Sequence, residues 1–110
     1  MKRITAKSQA NHLVKILKRD CEGDWIADTI KTNNEFVPIA FCCGVSVMKK
    51  ESTYFCHVDL SNQKMCQEIK GHIGTNPSEL VRYSVSVERE KLMRGIRGLT
   101  KVFGNITYAI

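Results

Sequence analysis

The stretch Glu35-Phe-Val-Pro-Ile-Ala-Phe-Cys-Cys-Gly-Val-Ser-Val-Met48 decides how this chain folds. Its β-branched and aromatic residues are strand material. Read as one strand, it is long enough for Gly44 to mark a bulge or bend. It then forms the middle of a three-stranded antiparallel sheet. Trp25 to Lys31 is the strand before it, joined through Asn33-Asn34, because asparagine tolerates positive φ. Thr53 to Leu60 is the strand after it, joined by a turn near Lys50-Glu51.

Centring the turns at 33/34 and 50/51 gathers Ile26, Ile30, Val37, Ile39, Phe41, Cys43, Val45, Val47, Tyr54, Cys56, Val58 and Leu60 on one face, with only Asp28 intruding. A slip of one residue would scatter this set, so this face is the expected seat of the core. The opposite face would carry Trp25, Ala27, Pro38, Ala40, Cys42, Gly44, Ser46, Phe55, His57 and Asp59.

Outward from the sheet, the pattern turns helical. Ala10, Leu13, Val14, Leu17 and Cys21 form a buried stripe on a helix that starts at Thr5 or Ser8 and is ended by Gly23. Lys15, Lys18 and Arg19 lie on its opposite side. Ser61 caps a second expected helix, with Met65, Cys66, Ile69 and Ile73 facing inward and Gly74 closing it. Asn76-Pro77-Ser78-Glu79 reads as a helix start, with Asn as cap, Pro at the first position and Glu at the third. Two continuations remain open. Val81, Tyr83, Val85 and Val87 alternate with polar residues, which favours a short turn, a strand over 80–88 and a last helix from Glu90 to Phe103. A single helix over 77–103 is the alternative, because Val81, Val85, Leu92, Ile96 and Leu99 also share a helical face. Ile106, Tyr108 and Ile110 would add a short edge strand.

The expected fold is α+β: an antiparallel sheet of three to four strands with helices packed mainly on one face, in one domain spanning 1–110. The order α-β-β-β-α over residues 5 to 74 resembles, in element order, the double-stranded RNA-binding domain. That family has a Lys-Lys pair where this chain has Ser61-Asn62-Gln63-Lys64, and its glycine-rich turn is missing here. No residue role is carried over.

Composition bounds the rest. A chain of 110 residues, 43% hydrophobic and 25% charged, suits one globular core and lies outside the disordered class. The longest apolar stretch, Val37 to Met48, contains Pro38 and Gly44 and is too short to cross a bilayer, so no membrane partner is expected. No apolar segment of a signal peptide follows Met1-Lys2-Arg3. The five cysteines, Cys21, Cys42, Cys43, Cys56 and Cys66, are odd in number and include an adjacent pair. Reduced thiols and a cytoplasmic location are the expectation.

Charge carries the functional reading. The net charge is +6, from 17 basic and 11 acidic residues. Residues 1 to 19 hold six basic residues and no acid. Near the C-terminus, Lys91, Arg94, Arg97 and Lys101 fall along one side of a helix, and Leu92, Ile96, Leu99 and Phe103 along another. The leading expectation is a small basic non-enzymatic protein that binds DNA or RNA through cationic helix faces, with Lys15, Lys18 and Arg19 joining the C-terminal stripe. Trp25, Phe55 and Tyr83 could stack on bases where exposed. The alternative is a small regulator or inhibitor that docks an acidic surface of a larger protein or enzyme.

A third class, ranked behind both, is a small nuclease or thiol enzyme. In the register above, Cys42 sits across from Asp59 and His57 across from Gly44, so a thiol, an imidazole and a carboxylate would meet as a nucleophile with an oriented base. No cofactor is expected, because neither GxGxxG nor GxxxxGK[ST] is present. No metal is expected either. Structural zinc sites use spaced ligand pairs, whereas Cys42-Cys43 and Cys56-His57 are direct neighbours, which on a strand point to opposite faces.

Overall fold

A computed structural model describes residues 2–59 and 71–103, with side chains through residue 91 and at residue 93. Its elements are α1 (Arg3–Asp20), β1 (Ile26–Thr32), β2 (Glu35–Cys42), β3 (Val45–Lys50), β4 (Thr53–Val58), β5 (His72–Gly74) and α2 (Pro77–Phe103). The strands form one antiparallel sheet in the order β1-β2-β3-β4-β5. The α+β class therefore stands, with five strands where three to four were expected. The element order of the double-stranded RNA-binding domain does not recur, since four strands follow α1 in succession.

One added strand is β5, and the other comes from Cys43-Gly44. These residues have φ of 48° and 80°, the positive values that a two-residue type I′ hairpin turn demands. They split the expected Glu35–Met48 strand into β2 and β3 and pair Cys42 with Val45. Paired residues share a face, so this turn shifts the inward–outward alternation by one residue between β2 and β3. The first hairpin keeps its expected register, with Ile26 opposite Phe41 and positive φ at Asn33 and Asn34. The last tight turn sits at Glu51-Ser52, pairing Lys50 with Thr53 and Val45 with Val58.

The core face is consequently a hybrid of the two expected faces. Ala40, Cys42, Val45, Val47, Cys56 and Val58 cluster with Leu13, Val14 and Leu17 of α1 and Leu80 and Val81 of α2. The five residues Ile26, Ile30, Val37, Ile39 and Phe41, expected on the core face, occupy the other side. There Ile39 and Ser46 are fully buried, while Ile26 and Ile73 are 52% and 64% exposed. Ile73 and Gly74, expected at the end of a helix, belong to strand β5 instead. The rest of that expected helix, and the edge strand at Ile106, Tyr108 and Ile110, lie outside the described residues.

α1 lies over β1 and β2, and α2 over β3, β4 and β5. The buried stripe of α1 is Ala6, Ala10, Leu13, Val14 and Leu17, and its most buried leucines, Leu13 and Leu17, each contribute about 2 kcal/mol of transfer free energy. The helix begins two residues earlier than Thr5 and ends at Asp20, where the Cys21 N–H donates to Leu17 O at 2.7 Å. Lys18 and Arg19 in its last turn suit the negative end of the helix dipole.

α2 is the continuous helix, not the strand over 80–88. Asn76 Oδ1 accepts from the N–H groups of Ser78 and Glu79, both at 3.1 Å, and so caps the helix as the sequence reading expected. No turn signal follows to stop it. Leu80, Val81 and Ser84 then face the sheet, at 5%, 5% and 0% exposure. Burying that stripe outweighs the few tenths of a kcal/mol by which each valine disfavours a helix. Ser84, the one polar member, donates its hydroxyl to Leu80 O at 2.6 Å.

Candidate functional site

The shifted alternation separates the proposed nucleophile from its base. Cys42 faces the helices opposite Val45, whereas His57 pairs with Ser46 on the other side of the sheet. Asp59 follows β4, its N–H donating to Gly44 O at 2.8 Å. Cys42, His57 and Asp59 therefore do not converge as the expected register required, and the thiol-enzyme reading loses its geometry.

The cationic residues are displayed as expected where they are described. Lys15, Lys18 and Arg19 are exposed on α1, as are Arg3 and Lys7 and, just before the helix, Lys2. Arg19 is held by a two-bonded contact to Asp20, at 2.8 and 3.0 Å. Asp20 also accepts the Ser78 hydroxyl at 2.7 Å. The Arg19 guanidinium, with the Ser78 hydroxyl behind it, holds the Asp20 carboxyl well below the usual carboxylate range. Lys7 Nζ donates to Ala27 O at 2.7 Å. On α2, Lys91 is exposed and lies 3.3 Å from Glu88, an open pair of little energetic weight. Arg94, Arg97 and Lys101 occupy helical positions of α2, and their side chains lie outside the described residues. Arg82 and Arg89 are also exposed. The sequence reading had not singled them out.

The aromatics divide. Trp25 is 4% exposed and belongs to the core, Phe55 is half-buried, and Tyr83 is 60% exposed. Tyr83 packs edge-on against His72, with ring centroids 5.1 Å apart.

Where the end of α1, the β2–β3 turn and α2 meet, the structure brings together residues that the sequence reading kept apart. Cys21, Glu22, Gly23, Trp25, Cys42, Cys43, Val45, Val81, Val85 and Arg89 line a hollow of about 520 Å³. A second hollow of about 500 Å³ shares Cys21, Glu22, Val81, Val85 and Arg89 with it and adds Asp20, Arg82 and Ser86. Together they make a groove with apolar walls that carries Arg82 and Arg89 beside the acidic Asp20 and Glu22. The Cys21 thiol reaches towards Ser78 O at 3.8 Å. Burial pushes the Cys21 and Cys42 thiols up from their ordinary values. Gly23, at φ 132°, is needed here: a β-carbon on it would sit 2.6 Å from Cys42 Sγ. Trp25 Nε1 lies beneath the same glycine, buried and without a hydrogen-bond partner among the described residues. The signal for this site was the Cys42-Cys43-Gly44 run, whose turn geometry brings the β2–β3 connection under α2.

Among the described residues no cluster of three His, Cys, Asp or Glu side chains is arranged to hold a metal, and no helix is long and apolar enough to cross a membrane. Comparison with protein-family models, with curated proteins and with solved structures finds no match for this chain.

Proposed function

We propose that this protein binds nucleic acid without catalysis, through cationic helix faces, with phosphate contacts supplying most of the affinity. One observation carries the reading. The outward side of α1 presents Lys15 and Lys18 to solvent, on a segment with six basic residues and no acid before Asp20. Asp20 engages Arg19 alone of these. A row of exposed lysines on a helix seated at one end of a sheet can lie along a phosphate backbone without rearranging the core. Lys91, Arg94, Arg97 and Lys101 extend the basic character along α2.

The test is a salt titration with duplex DNA and duplex RNA. The parent should bind, with log K falling linearly against log salt. The double variant Lys15→Glu/Lys18→Glu should bind more weakly and flatten the slope by roughly two, about one per lost phosphate contact, with an unchanged circular dichroism spectrum. A parent that binds neither duplex at low salt ends this reading.

The second reading, a regulator that docks an acidic protein surface, is favoured by the groove between α1 and α2. A protein interface needs an apolar centre with a polar rim. Val81 and Val85 offer the centre, and the rim is mixed in charge, with Arg82 and Arg89 beside Asp20 and Glu22.

A further inference from the structure

We propose that Cys42 and Cys43 are a redox-active vicinal dithiol, in which exposed Cys43 reacts first with a small-molecule disulfide and buried Cys42 closes a reversible vicinal disulfide behind it. This goes beyond the binding function proposed above and uses none of its lysines.

On a regular strand, consecutive side chains point to opposite faces, and these two thiols would never meet. Cys43 is not on a strand. It is the first central residue of a tight turn, at φ 48°, a conformation that Gly, Asn or Asp ordinarily supplies. That bend places both residues on the lining of one hollow. A residue held at an unfavourable φ in a turn where another type would be easier invites a functional reason.

Access is asymmetric in the way such chemistry requires. Cys43 is exposed, while Cys42 is 9% exposed and pressed beneath Gly23. The reaction takes two steps, with the oxidant a low-molecular-weight disulfide RSSR. The Cys43 thiolate attacks one sulfur of RSSR, forming Cys43–S–S–R and releasing RS⁻, which takes up the proton Cys43 lost. Cys42 then attacks the Cys43 sulfur, the mixed S–S bond breaks, and the second RS⁻ leaves with the Cys42 proton. The net change is two thiols and RSSR converted to one intramolecular disulfide and two RSH. A disulfide between adjacent residues departs from relaxed geometry, which makes it readily reduced and suits it to reversible use.

Ring closure would occur beside Trp25, the only tryptophan of the chain, so the protein carries its own reporter. The experiment treats the full-length reduced protein with glutathione disulfide. It is followed by intact mass, by peptide mapping without reduction and by Trp25 emission. The parent should lose two hydrogens and retain no glutathione. The cross-link should map within the peptide holding residues 42 and 43. Emission should change in step and be restored by dithiothreitol. Cys42→Ser should instead accumulate a stable glutathione adduct on Cys43, and Cys21→Ser should behave as the parent. Cys43→Ser, at an exposed position and therefore safe for folding, should lose both the mass change and the emission change. Glutathione retained on Cys43 of the parent, a cross-link from Cys43 to Cys21 or Cys66, or an oxidation that survives Cys43→Ser would each overturn the proposal.

Discussion

Two tight turns, Asn33-Asn34 and Cys43-Gly44, have nearly the same backbone. Each places two consecutive residues at positive φ and pairs its flanking strands without a bulge. The first is written in residues that announce it, because asparagine tolerates the left-handed region and interrupts the apolar pattern. The second is written in residues that hide it. Cys43 continues an apolar run, and a lone glycine in such a run is equally consistent with a bulge in an unbroken strand. Reading Gly44 as a bend gives a three-stranded sheet, and reading it as half of a turn gives β2 and β3. The choice also decides which face of β1 and β2 lies under the helices, and hence whether Cys42 shares a face with His57 or a hollow with Cys43.

The comparison breaks most sharply at the face assignment. Ala40 is fully buried under the helices and Ile26 is 52% exposed, the reverse of what an unbroken Glu35–Met48 strand requires. Ala40→Asp should abolish cooperative folding, since an unpaired buried carboxylate costs several kcal/mol. Ile26→Asp should change stability by about 1 kcal/mol or less. Urea denaturation followed by circular dichroism distinguishes them, and the opposite ranking would restore the long strand.

A smaller effect separates the turns themselves. Gly44→Val places a β-branched residue at φ 80° and should cost about 2 kcal/mol or more. Asn34→Gly, at φ 64°, puts in a residue that adopts this backbone freely and should stay within about 1 kcal/mol of the parent. Equal losses from the two substitutions would mean that β2 and β3 are not joined by a turn of this kind.

The smallest effect is silent at neutral pH. The β3–β4 hairpin buries Cys56 under the helices. Its desolvation pushes the thiol up to about 11, against a lowering contribution from the Ser84 hydroxyl. The folded value is raised above that of the unfolded thiol. The stabilisation is therefore fully present below the unfolded value near 9 and is lost as pH rises towards 11, where the unfolded chain sheds the proton first. Cys56→Val should differ from the parent by about 1 kcal/mol at most at pH 7. It should also remove part of the fall in urea midpoint between pH 9 and 11. An unchanged alkaline slope would show that the thiol is not buried in this way.

Much of the rest was legible where local chemistry and tertiary demand agree. The α1 stripe of Ala10, Leu13, Val14 and Leu17 is buried as its spacing implies. Asn76 caps α2 as its position before Pro77 implies. The exposed Lys15, Lys18 and Arg19 followed directly from that same helical period. Residues 80–88 were harder, because alternating valines fit a strand by propensity and a helix by i, i+4 spacing. Packing on β4 and β5 chose the helix, and no local property of the segment could have done so. The thiol-lined hollow was illegible for a different reason. Cys21, Cys42 and Cys43 meet there only because one tight turn displaced the alternation, and Arg89 and Val85 reach it only because α2 is unbroken.

The sequence by itself determined the class of the molecule, the first helix and its basic outer side, the first hairpin and the start of α2. Each follows from a local rule: side-chain period, asparagine at positive φ, or an amide oxygen that caps backbone N–H groups. The tertiary structure alone decided the face of the sheet that carries the core, the continuity of α2 and the neighbours of Cys42. Those depend on which buried surfaces can be satisfied together, and burial is a property of the assembled chain rather than of any one segment.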